Sequence, residues 1–421
     1  MGSCVIVQWS FVALLWLQIA TVTSEVSVQN LRDSLEGPFG VIRHRTANPA
    51  GKAAARRHII AKFEEYGLDV TVQNFNGSSG DTDKPGTNVI GVKRGKMNGT
   101  SDDRIVAVGA HYDTVATTPG VDDDGSGMAA MLEMARVMTS CSQQNYTVIF
   151  VAFDNEEVPI TPSHASERPC DIGRGADDFV CSWLLPFLNS TGRPAEFQGI
   201  FMLETIMNYD LRPNVQNLPN PIGFQLFFPT LYRELQATNF TGNFITLIRK
   251  PEEERLVASV VQTWEDRAKE PVGAITRDVQ LPITGKPSVA LTNTFFDLVG
   301  RSDCVSFWVQ EPYLRCVYVT DTADYRGTMQ QCYHSSCDNV TSITPDKLTF
   351  LAKVTDSILQ TTMKLAEVEK DTCTDTTGDA DTTGVTSAAR DSHGAWSIIQ
   401  LLSVHVWIWS ILQYSCAVHI I

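Results

Sequence analysis

Residues 109–136 read GAHYDTVATTPGVDDDGSGMAAMLEMAR, and the whole interpretation of the chain grows outward from them. The apolar run Ile105-Val106-Ala107-Val108 leads in as a buried strand and delivers a His-x-Asp pair, His111 and Asp113, at its end. A Pro/Gly loop follows, then three consecutive aspartates, Asp122, Asp123 and Asp124. A glycine-flanked turn then opens a helix with Met128, Met131, Leu132, Ala135 and Met138 spaced for one face. Strand, acidic loop and helix in that order belong to an open α/β sheet, which places its chemistry at the carboxyl ends of its strands. Taken alone, His-x-Asp is an ordinary hydrogen-bonded surface pair; what lies downstream changes its weight.

The strand YTVIFVAF (146–153) runs straight into Asp154-Asn155-Glu156-Glu157. The run Gly199-Ile200-Phe201-Met202-Leu203 ends at Glu204. Much later, Tyr333-His334-Ser335-Ser336-Cys337-Asp338 follows the strand-like Cys316-Val317-Tyr318-Val319-Thr320. Singly these are an acidic loop, a solvated strand-end glutamate and a satisfied surface histidine. Together they give two histidines and three carboxylates, each beside a strand end, a donor set that suits zinc. A further carboxylate adjoining one ligand is what a metal hydrolase uses as a general base.

With these motifs in place the chain closely resembles the co-catalytic di-zinc aminopeptidases, the family of secreted leucyl aminopeptidases related to glutaminyl cyclases and glutamate carboxypeptidase. GAHYDT, PGVDDDGSG, FDNEE, LET and YHSSCD carry the resemblance, supported by TNVIGV, RSD and TDTADYR, over residues 43–365. It implies two zinc ions per chain. His111 and Glu157 would complete the first site and Glu204 and His334 the second, with Asp123 bridging both. Glu156 would be the base, and Asp113 would accept the other ring N–H of His111. The peptide between Asp123 and Asp124 is expected to be cis on the same ground. Two departures stand out: Glu204 replaces the Asp of many relatives, and VPITPSHASERPCDIGRGADDF (158–179) replaces a short glycine-rich turn. The second bears on specificity rather than on metal binding.

A net charge of −15 with no basic patch excludes nucleic acid as a partner. With 43% apolar and 19% charged residues the chain is long enough to bury a sizeable core. Both ends read as processing signals. Residues 1–24 resemble a signal peptide, though without Lys or Arg at its start. Residues 395–421 form a hydrophobic tail behind a Thr/Asp/Gly/Ser/Ala-rich spacer, 371–394, the pattern of a GPI-attachment signal. A transmembrane helix is the rival reading of the tail. Export to the cell surface agrees with cysteine usage. Near neighbours suggest the pairs Cys170–Cys181, Cys304–Cys316 and Cys332–Cys337, with Cys141 and Cys373 completing an even set. Cys332 and Cys337 flank His334, so a Cys/His zinc site competes with their disulfide. Asn76, Asn98, Asn145, Asn189, Asn239 and Asn339 head glycosylation sequons.

Helical patterning is expected at 49–66, 252–267 and 345–369, and strands at 70–73 and 88–92, while 210–290 is the least legible region. We expect a weakly ordered lead-in (25–40), then one α/β domain (41–370) built on a mixed, twisted central β-sheet with helices on both faces. The function expected is that of a zinc exopeptidase, an aminopeptidase acting on extracellular peptides. The alternatives are a one-zinc acyltransferase like the glutaminyl cyclases, and a non-catalytic surface receptor on a peptidase scaffold.

Overall fold

Strands β3 (Arg104–His111), β4 (Val148–Phe153), β5 (Glu196–Leu203) and β8 (Cys316–Thr320) are apolar on both faces, as strands covered on both sides must be. The computed structural model describes residues 25–374, except 77–84, 159–169, 171–172, 191–195, 268–269, 272, 296–300 and 312. With β1 (Asp69–Asn76), β2 (Pro85–Lys93), β6 (Phe244–Arg249) and β7 (Ile275–Gln280) they form one mixed eight-stranded sheet, ordered β1-β2-β4-β3-β5-β8-β6-β7. The β4, β3, β5 and β8 strands are mutually parallel, and β1–β2, β2–β4 and β6–β8 pair antiparallel. Four parallel neighbours point their carboxyl ends to a single edge.

The two-residue alternation of β3 divides its side chains between two cores. Val106, Val108 and Ala110 face α1 (Val28–Glu36), α2 (Pro49–Glu65), α3 (Gly125–Ser140), α4 (Glu254–Asp266) and α5 (Pro345–Leu365). Ile105 and Ala107 face a second core that includes Phe179, Leu184, Phe307 and Trp308. Helix α3 is apolar nearly all round, and nearly all of it is buried, the condition of a helix inside a large domain.

The lead-in expected at 25–40 is instead an ordered helix. Ser27 caps α1, and Leu31, Leu35 and Phe39 are fully buried at four-residue spacing. Glu133, the one acid on α3, accepts from the Ser27 backbone N–H at 2.6 Å and from Asn30 Nδ2 at 3.0 Å. Three apolar residues in so short a stretch make a weak periodic signal, and the anchor lies more than a hundred residues away. The domain also outruns its expected boundary at 370. A disulfide joins Cys141 to Cys373, and Thr374 N–H donates to Ser140 O at 3.0 Å. Helix α5 stops at Leu365, short of 369, because Glu367 turns left-handed and Ala366 and Glu367 carbonyls accept from Asn145 N–H. The signal peptide, spacer and tail expected at the ends lie outside the described residues, apart from Asp371–Thr374. Among the described residues no helix is long and apolar enough to cross a membrane.

Candidate metal centre

The parallel quartet brings the sequence-predicted donors to one edge. His111 ends β3 opposite Phe153 of β4, Glu156 and Glu157 follow β4, and Glu204 follows β5, which runs beside β3 and β8. Asn155, Thr205 and His334 all take positive φ, at 61°, 50° and 56°. Each such residue costs about 1–3 kcal/mol and persists only where its surroundings enforce it. At Thr205 the enforcement is visible: its N–H donates to Asp124 Oδ1 at 3.3 Å and its hydroxyl lies 2.9 Å from that of Thr320. The Asp123–Asp124 peptide is cis. Asp124 caps α3, accepting from Gly127 N–H at 2.9 Å, and a Cβ on Gly127 would come within 2.4 Å of that carboxylate.

Asp123 is the hub. Its Oδ1 lies 3.3 Å from His111 Nε2, and its Oδ2 lies 3.2 Å from His334 Nε2. His334 Nε2 is also 3.2 Å from Glu157 Oε2. Donor atoms of His111, Asp123 and Glu157 gather within 4.8 Å of one another, and so do those of His111, Glu156 and Glu204. The two histidines therefore sit on opposite oxygens of one carboxylate. Glu157 touches His334 directly and also gathers with His111, the histidine that the resemblance gave it, so it lies within reach of both flanks. Asp113 stands behind both halves: Oδ1 is 3.5 Å from His111 Nδ1, while its two oxygens accept from Glu156 and Glu157 N–H at 3.1 and 3.2 Å.

The electrostatics call for cations. Buried polar atoms normally find hydrogen-bond partners. Yet His111 Nε2, Asp123 Oδ2, Glu157 Oε1, Glu204 Oε2 and His334 Nε2 are buried without a well-formed hydrogen bond among the described residues, and their side chains cluster around Asp123 and His111. Burial by itself would lower both histidines, but Asp113 and Asp123 raise His111 well above its usual value, and Asp123 with Glu157 raises His334 to about 10. Burial, then the charge of Asp123, pushes Glu157 up to about 7. Burial and the charge of Glu156 raise Glu204 well above its usual value. Burial would raise Asp113 too, but His111, Lys52 and the Glu156 N–H hold it at about 2. Protons here substitute for missing positive charge, and nitrogen and oxygen donors in this number fit divalent metal ions.

Three groups that the sequence reading left without a role complete the site. Asp338, fully buried, accepts from the backbone N–H groups of Asp122 and Asp123 at 2.8 and 3.1 Å. Arg174 Nη1 lies 2.6 Å from Glu156 Oε1, both side chains being buried, and Asp303 adds its buried charge to the same pair. Asp338 and Asp303 already stood in the quoted YHSSCD and RSD motifs. Arg174 comes from the segment after β4 that departs from the family pattern, and nothing in its local sequence announced it. The chain also joins Cys170–Cys181, Cys304–Cys316 and Cys332–Cys337. The last bridge flanks His334, so those sulfurs are not metal ligands. All six sequon asparagines reach the surface.

Comparison with known proteins agrees with this edge. Residues 88–180, from β2 through the acidic loop and Glu157 to Arg174, match Peptidase family M28. Aminopeptidase YwaD of Bacillus subtilis is 41% identical over 92 residues, 21% of this chain and 20% of that protein, so the match spans only about a fifth of its length. Among solved structures, LapB of Legionella pneumophila superposes with a TM-score of 0.50 at 17% identity, covering 83% of this chain and 75% of that one. A glutaminyl cyclase of Porphyromonas gingivalis gives 0.50 at 15% identity, covering 81% and 99%. These structures share the fold, a single mixed sheet with helices on both faces, and the matches fall in the family that the motifs resemble.

Proposed function

We propose that the protein is a zinc-dependent aminopeptidase holding two zinc ions. His334 and Glu157 would hold one, His111 and Glu204 the other, and Asp123 would span both. The observation that carries this reading is the placement of the two histidines on opposite oxygens of Asp123, at 3.2 and 3.3 Å. The M28 match over 88–180 and the likeness to YwaD support the peptidase class. When bound, zinc supplies a water of lowered pKa and polarises the scissile carbonyl. Glu156 would take a proton from the attacking water and give it to the departing amine as the C–N bond breaks. Arg174 holds Glu156 by one oxygen and leaves the other for that proton. Asp113 fixes the tautomer of His111 and the backbone that presents Glu156 and Glu157 together.

The two flanks differ in access, and that sets the polarity of reading. The His111 and Glu204 side chains are buried, whereas His334 is 37% exposed and Glu157 borders an open cleft. An exopeptidase needs one closed end to recognise a terminus and one open end for the rest of the chain. The substrate's amino terminus belongs at the closed flank. Elemental analysis tests the reading: two zincs per chain are expected, with removal by chelator abolishing aminoacyl-peptide hydrolysis. One tightly held zinc, Glu204 dispensable and activity on N-terminal glutamine would overturn it in favour of a cyclase.

We also propose display at the cell surface through a GPI anchor added ahead of the hydrophobic tail. Four disulfides among the described residues and six accessible sequons suit an exported glycoprotein. Release from cells by a phosphatidylinositol-specific phospholipase is the expected result. Retention with an intact C-terminal tail would favour a transmembrane helix.

A further inference from the structure

Beside Glu157, on the open flank of the metal centre, lies a cleft lined by charges of both signs, Glu157 and Asp113 together with Arg45 and Lys52. Arg45 and Lys52 also line the adjoining depression, together with Arg56 and Thr87. That depression holds about 650 Å³, within the ~300–1,000 Å³ of small-ligand sites. The charges around it are unevenly matched. Lys52 is already paired with Asp154, and Asp178 on the same wall accepts from Gln73 Nε2 at 2.7 Å. Among the described residues Arg56 makes one hydrogen bond, to the neutral Thr87 Oγ1 at 3.0 Å. Arg45 Nη1 is buried and meets no hydrogen-bond acceptor among the described residues. The first turn of α2, which opens beside Pro49 and Lys52, carries no acidic residue, so the positive end of its helix dipole is uncompensated. A buried guanidinium N–H without an acceptor is costly, and the planar guanidinium fork matches a carboxylate.

We propose that Arg45, assisted by Arg56, receives a carboxylate on the residue just after the scissile bond, so that the enzyme favours short peptides, dipeptides above all. This rests on the aminopeptidase reading and adds to it the chemistry of the departing side. The carboxylate has two possible sources: the C-terminus of a dipeptide, or an acidic side chain in a longer one.

Leucyl-glycine, leucyl-glycinamide, leucyl-glutamyl amide and leucyl-glutaminyl amide separate the two, assayed on the zinc-loaded protein. Leucyl-glycine is expected to exceed its amide in kcat/KM by about ten- to a hundred-fold, the worth of a hydrogen bond to a charged group. Arg45→Gln should bring that ratio close to one, chiefly through KM, and Arg45→Lys should restore part of it. A preference for the glutamyl over the glutaminyl amide, without one for leucyl-glycine, would assign the cleft to a side chain. Zinc-dependent turnover with no preference for either carboxylate, or a ratio unmoved in Arg45→Gln, would overturn the proposal and leave the aminopeptidase standing. No turnover of any aminoacyl substrate would overturn both.

Discussion

The two flanks of Asp123 use the same kinds of donor under different conditions. His111 and Glu204 sit on strand ends inside the sheet's edge, 2% and 4% exposed. His334 sits in a loop between Cys332 and Cys337 with its ring 37% exposed and stacked on Tyr333. Strand register places the first pair. Local strain, a disulfide and a ring stack place His334, and Glu157 reaches it from the end of β4. The closed flank is built for permanence and the open one for access, and metal content and kinetics should divide along that line.

Asp123→Asn should have the largest effect, because that carboxylate faces both histidines. Both zincs should weaken together and peptide hydrolysis should vanish; loss of one ion alone, read by elemental analysis, would show that the flanks do not share a ligand. Glu156→Gln should retain both zincs and lose roughly a hundred- to ten-thousand-fold in kcat, the usual worth of a positioned base. Near-normal turnover in that variant would exchange the roles of Glu156 and Glu157. Asp113→Asn should weaken metal binding or activity about 10–100-fold, as loss of a partner behind a ligand does. Its effect should fall on both flanks, since it holds His111 and the Glu156–Glu157 backbone alike.

A smaller effect follows from protons. In the metal-free protein Asp123 and Glu157 raise His334 to about 10 despite its burial, and burial with the charge of Asp123 raises Glu157 to about 7. Both groups must give up a proton to bind a cation. Apparent zinc affinity on the open flank should therefore rise with pH, most steeply below about 7, where both are protonated. The same shift makes the His334 pairing stabilise the metal-free fold fully below the ordinary histidine value, about 6.5. That stabilisation is lost as pH rises through about 10. In calorimetric zinc titrations across this range, an affinity that stops rising above about 7, where only His334 still holds its proton, would show that His334 is not a ligand.

The four central strands and their terminal donors were legible in the sequence. Each is a local pattern: an apolar run with a histidine or carboxylate at its end. The same holds for three of the disulfides, whose cysteines lie 5 to 12 residues apart. Helix α1 was missed because its anchor is Glu133, and the bridge Cys141–Cys373 closes across 232 residues. Arg174 was missed because its partner Glu156 lies across a segment with no periodic signal.

Sequence alone determined which atoms were available for chemistry: a histidine at the end of β3, a pair of glutamates after β4, a glutamate after β5 and a late histidine. Only the tertiary structure decided how they divide. The antiparallel β2–β4 and β6–β8 pairings confine the parallel quartet to the middle of the sheet, so that its donors meet at one edge. The hydrogen bonds from Asp122 and Asp123 N–H to Asp338 join positions about 216 residues apart and lock the acidic loop against the segment that carries His334. Which histidine faces which oxygen of Asp123, and which flank opens to solvent, depends on contacts between distant residues, and no local pattern encodes such contacts.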